Sequence, residues 1–411
     1  MQSRTQLYWF LIFSFFLNAC TKPSGEDNNQ DLVKKIVNAY TEPSGSGQIS
    51  SFQVRNEKGN LLWWRSGFTG ILDVFSGNNK LYVMGGQPDY SQKFIAYNLE
   101  TGEMLWSKIG GVDRIVGVYY QNDTLYCTNS HQVTSSLVNG YVKAYNANTG
   151  DLYWEKQVVS SAIPYLINVV GSKLYFYYTD QAVNGRVGSC DLNTREVNPG
   201  INFGLPIFST FKSLVYHDYN FNRAGSANLT TFNRNTGALL WNRNDRTWDN
   251  PVFYEQGNTL YATSQENVIR TKNGFYALDP ATGNTKWQAL DSALQFLGAP
   301  YVHSNKAFVS SLNTGNSVCV KCFDSRSGAE LWSSTIVNQY ANESTFVYEK
   351  IALDNKLYVV RKRYGAGAAI LESKMIQYNA SNGAIEDSIL LPNNITRFIL
   401  IGASGKSYKN Y

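Results

Sequence analysis

ALDPATGNTKW, Ala277 to Trp287, reads as the end of one strand, a turn and the start of another: a small residue, an aliphatic or aromatic, Asp or Asn, three residues, Gly, three residues, Trp. The same phrase returns at Gln53 to Trp63 (QVRNEKGNLLW), Ala96 to Trp106 (AYNLETGEMLW), Ala144 to Trp154 (AYNANTGDLYW), Thr231 to Trp241 (TFNRNTGALLW) and Cys322 to Trp332 (CFDSRSGAELW). Two more copies, Ser189 to Pro199 (SCDLNTREVNP) and Gln377 to Asp387 (QYNASNGAIED), have lost the Trp. The Gly, or Arg195 in its place, falls at 59, 102, 150, 195, 237, 283, 328 and 383, a period of 42 to 55 residues. Self-similarity at that period marks a repeat architecture whose units stack on one another.

A second signature lies between the turns. A polar residue followed by Leu-Tyr or a close variant opens a strand at Leu81-Tyr82, Leu125-Tyr126, Leu174-Tyr175, Val215-Tyr216, Leu260-Tyr261, Ala307-Phe308 and Leu357-Tyr358. These β-branched and aromatic runs are bounded by Gly and Asn. The Asp/Asn-x-x-x-Gly pieces are hairpin turns in which Gly supplies φ > 0 and the Asx side chain bonds nearby backbone. Each unit is therefore a meander of about four antiparallel strands, and the fold expected is all-β, an eight-bladed β-propeller. The first turn, at Gly59, has no Leu-Tyr strand before it, and the final Gly405-Lys406-Ser407-Tyr408 has no turn after it. Arg397 to Ile401 and Lys406 to Tyr411 are thus expected as the two inner strands of a blade whose outer strands are Ser51 to Arg55 and Leu61 to Arg65. N- and C-terminal strands sharing one blade would close the ring and remove long open sheet edges.

Six indoles recur at one position: Trp63, Trp106, Trp154, Trp241, Trp287 and Trp332. A blade cannot bury both faces alone, so a large flat side chain on its outer strand is expected to fill the gap to its neighbour, a docking role rather than a ligand contact. Looser contacts are expected where Pro199 and Asp387 stand instead.

The repeat consumes nearly everything from residue 47 to 411, so one ring is expected rather than the two or three domains that length suggests. Hydrophobic residues at 43% and aromatics at 14% suffice for its core, and a net charge of +5 with 16% charged residues is too weak a field for nucleic acid. At the N-terminus Arg4 precedes the apolar run Leu7 to Leu17, which is too short to span a bilayer and ends in Leu17-Asn18-Ala19-Cys20. This has the form of a bacterial lipoprotein signal peptide, residues 1–19, with Cys20 as the lipidation site. Thr21 at the next position implies carriage to the outer membrane. Residues 20–46 then read as a lipidated flexible tether, with one helical turn at Asp31 to Tyr40.

Cys127, Cys190, Cys319 and Cys322 complete the cysteines. Cys319 and Cys322 resemble a redox or zinc pair, yet residues three apart on a strand point to opposite faces about 10 Å apart, beyond disulfide reach. With only His131, His217 and His303 in the chain, no metal site is expected, and the thiols read as structural. A Cys127 to Cys190 bridge stays open. Asp279 and Asp324 occupy the repeated turn position, and their expected role is turn closure. No Ser/His/Asp triad, phosphate-cradling Gly loop or HExxH motif is present, so no catalytic residue is assigned.

The Ala-x-Asp/Asn-x-x-Thr-Gly-x-x-x-Trp phrase resembles the repeat of the PQQ-like β-propellers, over almost all of the chain after residue 46. Sialidase Asp-boxes space the aromatic differently, kelch repeats need a Gly-Gly pair in each blade, and WD40 repeats end in Trp-Asp. A lipid-anchored ring of this length is similar to the propeller lipoproteins of the outer-membrane β-barrel assembly machinery. That resemblance implies a monomeric, non-catalytic scaffold without cofactor, binding a protein partner at the bacterial envelope. The alternatives are a lipoprotein that binds a glycan or small ligand and, in the same superfamily, a quinoprotein dehydrogenase. The resemblance to the latter implies a disulfide between adjacent cysteines, and this chain has no Cys-Cys pair.

A partner is expected on the face formed by the loops between second and third strands, at residues 85–93, 129–140, 217–228, 265–274 and 361–374. Those segments hold Tyr90, His131, Tyr219, Phe221, Arg223, Arg270, Arg361, Arg363 and Tyr364, of the types enriched at binding hot spots.

Overall fold

The computed structural model describes residues 31–408, apart from short internal stretches of which 203–213, 244–253, 266–272 and 337–343 are the longest. The described residues form eight antiparallel sheets, designated A to H in chain order, seven of four strands and one of five. Sheet B covers residues 70–109, C 113–159, D 165–202, E 214–243, F 254–291, G 294–336 and H 344–391. Each of these is a simple meander, its strands adjacent in the order in which the chain makes them.

Local chemistry sets the two kinds of hairpin. Between first and second strands, Asn78-Asn79, Asn122-Asp123, Ser304-Asn305 and Asp354-Asn355 all hold φ between 48° and 60°. Two successive positive φ values make a type I′ turn, whose twist matches that of the flanking strands and which Asn and Asp tolerate better than other residues with a Cβ. Between third and fourth strands, the Asn98 carboxamide oxygen accepts from the amides of Glu100 and Thr101 at 2.9 and 3.0 Å, while Gly102 N donates to Asn98 O. Asp279 and Asp324 close their turns in the same way, each accepting from two following amides.

Sheet A departs from the expectation. Its strand order is β3 (Leu61–Phe68), β2 (Gly47–Asn56), β1 (Val33–Ser44), then the C-terminal strands Ile395–Gly402 and Ser407–Tyr408. Residues 33–44, expected as tether with a helical turn, are instead a strand paired with β2 on one side and with Ile395–Gly402 on the other. The strand Ser407–Tyr408 lies at the far edge, opposite Leu400 and Ile401, rather than beside Ser51 to Arg55. The reason is burial on both faces: Ile36, Val37, Ala39 and Tyr40 are all at most 5% exposed, and a helix there would leave two sheet edges unpaired. Asp31, just before β1, binds the end of the chain. Its carboxylate accepts from Ser404 N at 2.8 Å, Ser404 Oγ at 2.5 Å and Tyr408 Oη at 2.9 Å, and Ala403 N donates to Leu32 O.

Sheet E corrects a second point. Val215 and Tyr216 lie in its first strand, Leu214–Tyr216, and the residues after them form another strand, Asn220–Gly225, paired on both sides.

The core lies between sheets. Phe52, Val54 and Trp63 of A pack with Leu81, Val83 and Ile95 of B, Tyr82 and Trp106 of B with Leu125 and Cys127 of C, and Val142 of C with Leu174 and Phe176 of D. One larger cluster joins Trp332 of G, Tyr358 and Tyr378 of H, and Ile36, Phe398 and Leu400 of A.

Candidate functional site

Five of the recurrent indoles build one repeated joint. Trp63, Trp106, Trp241, Trp287 and Trp332 sit on edge strands of their sheets, 8 or 9% exposed. Their Nε1 atoms donate to carbonyls in the turn of the next sheet, at Leu99, Ala147, Pro280, Ser325 and Ala380, over 2.8 to 3.1 Å. The indole lies against the turn glycine, so that a Cβ on Gly102, Gly150, Gly283, Gly328 or Gly383 would come within 2.5 to 2.8 Å of the ring. Those glycines hold φ of 68° to 75°. Two separate demands, a left-handed backbone and room for the indole, thus select Gly at one position.

The joints that lack a partner of the pair are built otherwise. Arg195 holds φ of 63° in place of Gly, and its guanidinium carbon stands 5.4 Å from the Trp154 ring centroid, a cation–π contact. Between H and A, where Asp387 occupies the Trp position, Ile389 lies against Gly59, whose Cβ would meet it at 2.6 Å. That joint is tightly packed, contrary to the looser contact expected there.

These joints recur from sheet to sheet. A sequence profile of the family described as outer membrane protein assembly factor BamB matches residues 34–194 and 222–397. The chain belongs to the BamB family. No curated protein sequence matches it. Among solved structures, BamB from Moraxella catarrhalis is 16% identical with a TM-score of 0.50, the match covering 82% of this chain and 94% of that one. AztD from Citrobacter koseri is 13% identical at TM-score 0.53, covering 91% and 99%. The dihydro-heme d1 dehydrogenase NirN, solved in complex with DHE, is 7% identical at TM-score 0.58, covering 92% and 78%. At these identities the likeness is one of fold.

Of the nine residues expected on a partner face of this BamB-family chain, Tyr90, Tyr219 and Arg270 lie outside the described residues, as does Cys20. The other six lie in strands, not loops. His131 ends the strand Thr124–Gln132, half-buried and edge-on to Tyr141 at 6.3 Å. Phe221 and Arg223 are in Asn220–Gly225. Arg361, Arg363 and Tyr364 belong to Lys356–Tyr364, which pairs with Ser344–Leu353 and Ile370–Asn379. Within the segments 217–228 and 361–374, expected as loops, residues 220–222 and 361–364 lie in strands whose backbone groups find ladder partners on both sides, which a loop would not provide. Among the described residues, Arg361, Arg363 and Tyr364 lie together on one strand of sheet H. Arg361 Nη2 donates to Glu372 Oε1 at 2.9 Å, Lys374 Nζ pairs with Glu372 Oε2 at 2.8 Å, and Tyr364 meets Phe346 edge-on at 5.6 Å. Burial would raise the Glu372 pKa, but Lys374, Arg361 and Arg363 together hold it below the usual carboxylate range.

The four described thiols are all buried and free, so Cys127 and Cys190 are not bridged. Burial pushes the Cys190 thiol up to about 11 and Cys322 up to about 12, and raises Cys127 and Cys319 as well. Thiols kept protonated in this way are poor nucleophiles and poor ligands. Among the described residues no three His, Cys, Asp or Glu side chains converge as a metal site.

Sequence reasoning missed Asp31 and Asn129. The Asp31 to Ser404 contact spans 373 residues, with no local pattern to announce it. Asn129 is buried to 1% exposure, and its Oδ1 has no hydrogen-bond partner among the described residues. It follows a Leu-Tyr pair by three residues, a position at which other copies carry unrelated types.

Proposed function

We propose that the eight sheets are the eight blades of a closed ring, latched in sheet A by the two ends of the chain, and that this ring is a non-catalytic scaffold in outer-membrane protein assembly. Lipid on Cys20 tethers it to the outer membrane of a bacterial envelope, and the segment between Cys20 and Asp31 is the leash. The partner is a protein, docked at the end of the sheets where second and third strands join and where His131 and Tyr364 lie. The observation that carries this reading is the match to the BamB family over residues 34–194 and 222–397, which runs from sheet A through sheet H and back to the C-terminal strand of A. The indole joints support it physically, since a surface held by repeated buried hydrogen bonds and aromatic packing loses little entropy when a partner binds. The anchor adds effective concentration at the membrane.

Crosslinking the intact lipoprotein in its native membrane, followed by identification of what is captured, tests the reading. Capture of a component of the β-barrel assembly machinery is the expected result. Retention of a polysaccharide and no protein overturns it. Saturable dye-linked oxidation of an alcohol or sugar on addition of pyrroloquinoline quinone and Ca²⁺ would overturn the non-catalytic part alone.

A further inference from the structure

The chain enters sheet A at the end where the recurrent turns lie. In β1, Lys35 stands opposite Asn56, whose carbonyl accepts from Gly59 N and so closes the turn between β2 and β3. Lys35 Nζ also pairs with Glu100 Oε2 at 2.7 Å, inside the Gly102 turn of sheet B. Asp31 precedes Lys35 and is clasped to Ser404, just beyond Gly402, so the segment before it leaves at the turn end, opposite the end at which second and third strands join. Only β2 separates β1 from the edge strand β3, which places that exit about 10 Å from the outer edge of the sheet. Cys20 is eleven residues before Asp31, a span of at most about 40 Å.

That edge is apolar where the repeat does not require it. Trp63 and Trp106 turn into their joints, but Leu61, Leu62 and Trp64 beside the first, Met104 and Leu105 beside the second, and Ile385 at the matching place in sheet H are 42 to 59% exposed. The joint makes no demand on these positions, since sheet F carries Thr285 and Lys286 immediately before its indole, Trp287. Large apolar side chains facing water on the edges of neighbouring sheets mark a surface that meets something apolar. Trp64 narrows the choice, because an indole joins an apolar body to one N–H and favours the boundary between hydrocarbon and water.

We propose that the outer edges of sheets A and B lie against the bilayer that holds the acyl chains on Cys20, with Leu62, Trp64 and Met104 entering the headgroup layer. This rests on the lipid anchor assigned above and adds an orientation to it: the anchor leaves beside these residues, and its reach brings the edge to the lipid. The end at which second and third strands join is left clear of the bilayer and open to the protein partner. Sheet E has a similar exposed pair, Leu239 and Leu240, but neither end of the chain belongs to that sheet, so its edge stays in water.

The test uses the intact lipoprotein in vesicles of phosphatidylethanolamine and phosphatidylglycerol, with a single environment-sensitive fluorophore on Leu62→Cys, Met104→Cys, Leu240→Cys or Val133→Cys. Cys127, Cys190, Cys319 and Cys322 are buried, so the dye goes to the introduced cysteine, and the four labelled positions are exposed, so the fold is kept. Quenching by nitroxide lipid is expected to be several-fold stronger at Leu62→Cys and Met104→Cys than at the other two, with matching protection from aqueous iodide. Adding Leu61→Glu, Trp64→Glu and Leu105→Glu should abolish that contrast while the acyl chains keep the protein on the vesicles. Equal quenching at all four positions, open access of iodide to Leu62→Cys and Met104→Cys, or a contrast untouched by the three glutamates overturns the proposal. So does protection found only in native membranes, which assigns the edge to a protein partner, or protection that rises with protein concentration without nitroxide quenching, which assigns it to a second copy. The mass of the mature chain reports acylation of Cys20. An unacylated chain overturns the anchor and this orientation with it, whereas an acylated chain with both labels in water overturns the orientation alone.

Discussion

The joint from sheet G to H and the joint from C to D meet one requirement with different chemistry. In the first, Trp332 lies on Gly383 and donates to Ala380 O, and the ring is 8% exposed. In the second, Arg195 replaces the glycine, Trp154 is less buried, and a guanidinium over the ring stands in for the close backbone approach. The H to A joint goes further, replacing the indole by Ile389 while the Asp31 clasp ties both chain ends into the same sheet. The lesson is that the hydrogen-bonded indole is one solution among several. What each described joint shares is a left-handed turn residue and something to cover it.

The comparison breaks most readily at Trp332. Replacing it by Ala removes a buried indole and orphans Ala380 O, and a loss of about 3 to 5 kcal/mol is expected in denaturant unfolding, against a far smaller loss for Trp154→Ala. Equal losses at the two sites would show that neither the glycine joint nor the deeper burial of Trp332 sets the energy.

The clasp is next in size. Burial pushes the Asp31 pKa up, but hydrogen bonds from Ser404 and Tyr408, with the Ala403 amide, outweigh it, and the folded value is depressed. A depressed carboxylate contributes stability that is fully present above its unfolded pKa of about 3.9 and is lost as pH falls through the folded value. Asp31→Asn should therefore cost about 1 to 3 kcal/mol at pH 7, with the gap from the parent protein closing below about pH 4. Unfolding curves at pH 7 and at pH 3 measure this, and a gap that does not narrow would count against the clasp.

Arg195 sharpens the contrast from the other side. Arg195→Gly relieves a non-glycine residue from left-handed φ, about 1 kcal/mol, while removing a solvent-exposed cation–π contact of about 0.5 to 1 kcal/mol. The two nearly cancel, so a change within about 1 kcal/mol is expected, whereas Arg195→Ala loses the contact without easing the backbone and should be the less stable variant. The smallest effect concerns the thiols. With Cys20 changed to Ser, a thiol reagent at pH 8 should label none of Cys127, Cys190, Cys319 or Cys322 until the protein is unfolded.

The turns and the strands they join were legible because their signals are local. An Asx side chain bonding amides two and three residues on, and a glycine at φ near 70°, leave the same mark wherever they occur. Strand β1 was not legible. Residues 35–40 are buried on both faces, so they lack the alternation that betrays a half-exposed strand, and Val-Lys-Lys-Ile-Val-Asn-Ala-Tyr suits a helix equally well. Arg361, Arg363 and Tyr364 misled for a related reason. Charged and aromatic types near glycines suggest a loop, yet Glu372 pairs with Arg361 across the ladder within a strand.

The repeat alone determined that this chain is all-β, built of small meanders with an indole on the outer strand of most, because each meander folds by interactions among residues close in sequence. Tertiary structure decided how the ends are used and what covers each described turn. Asp31 and Ser404 meet only after the intervening sheets have formed, and the side chain that covers a turn glycine comes from a different sheet, information that no single copy of the repeat contains.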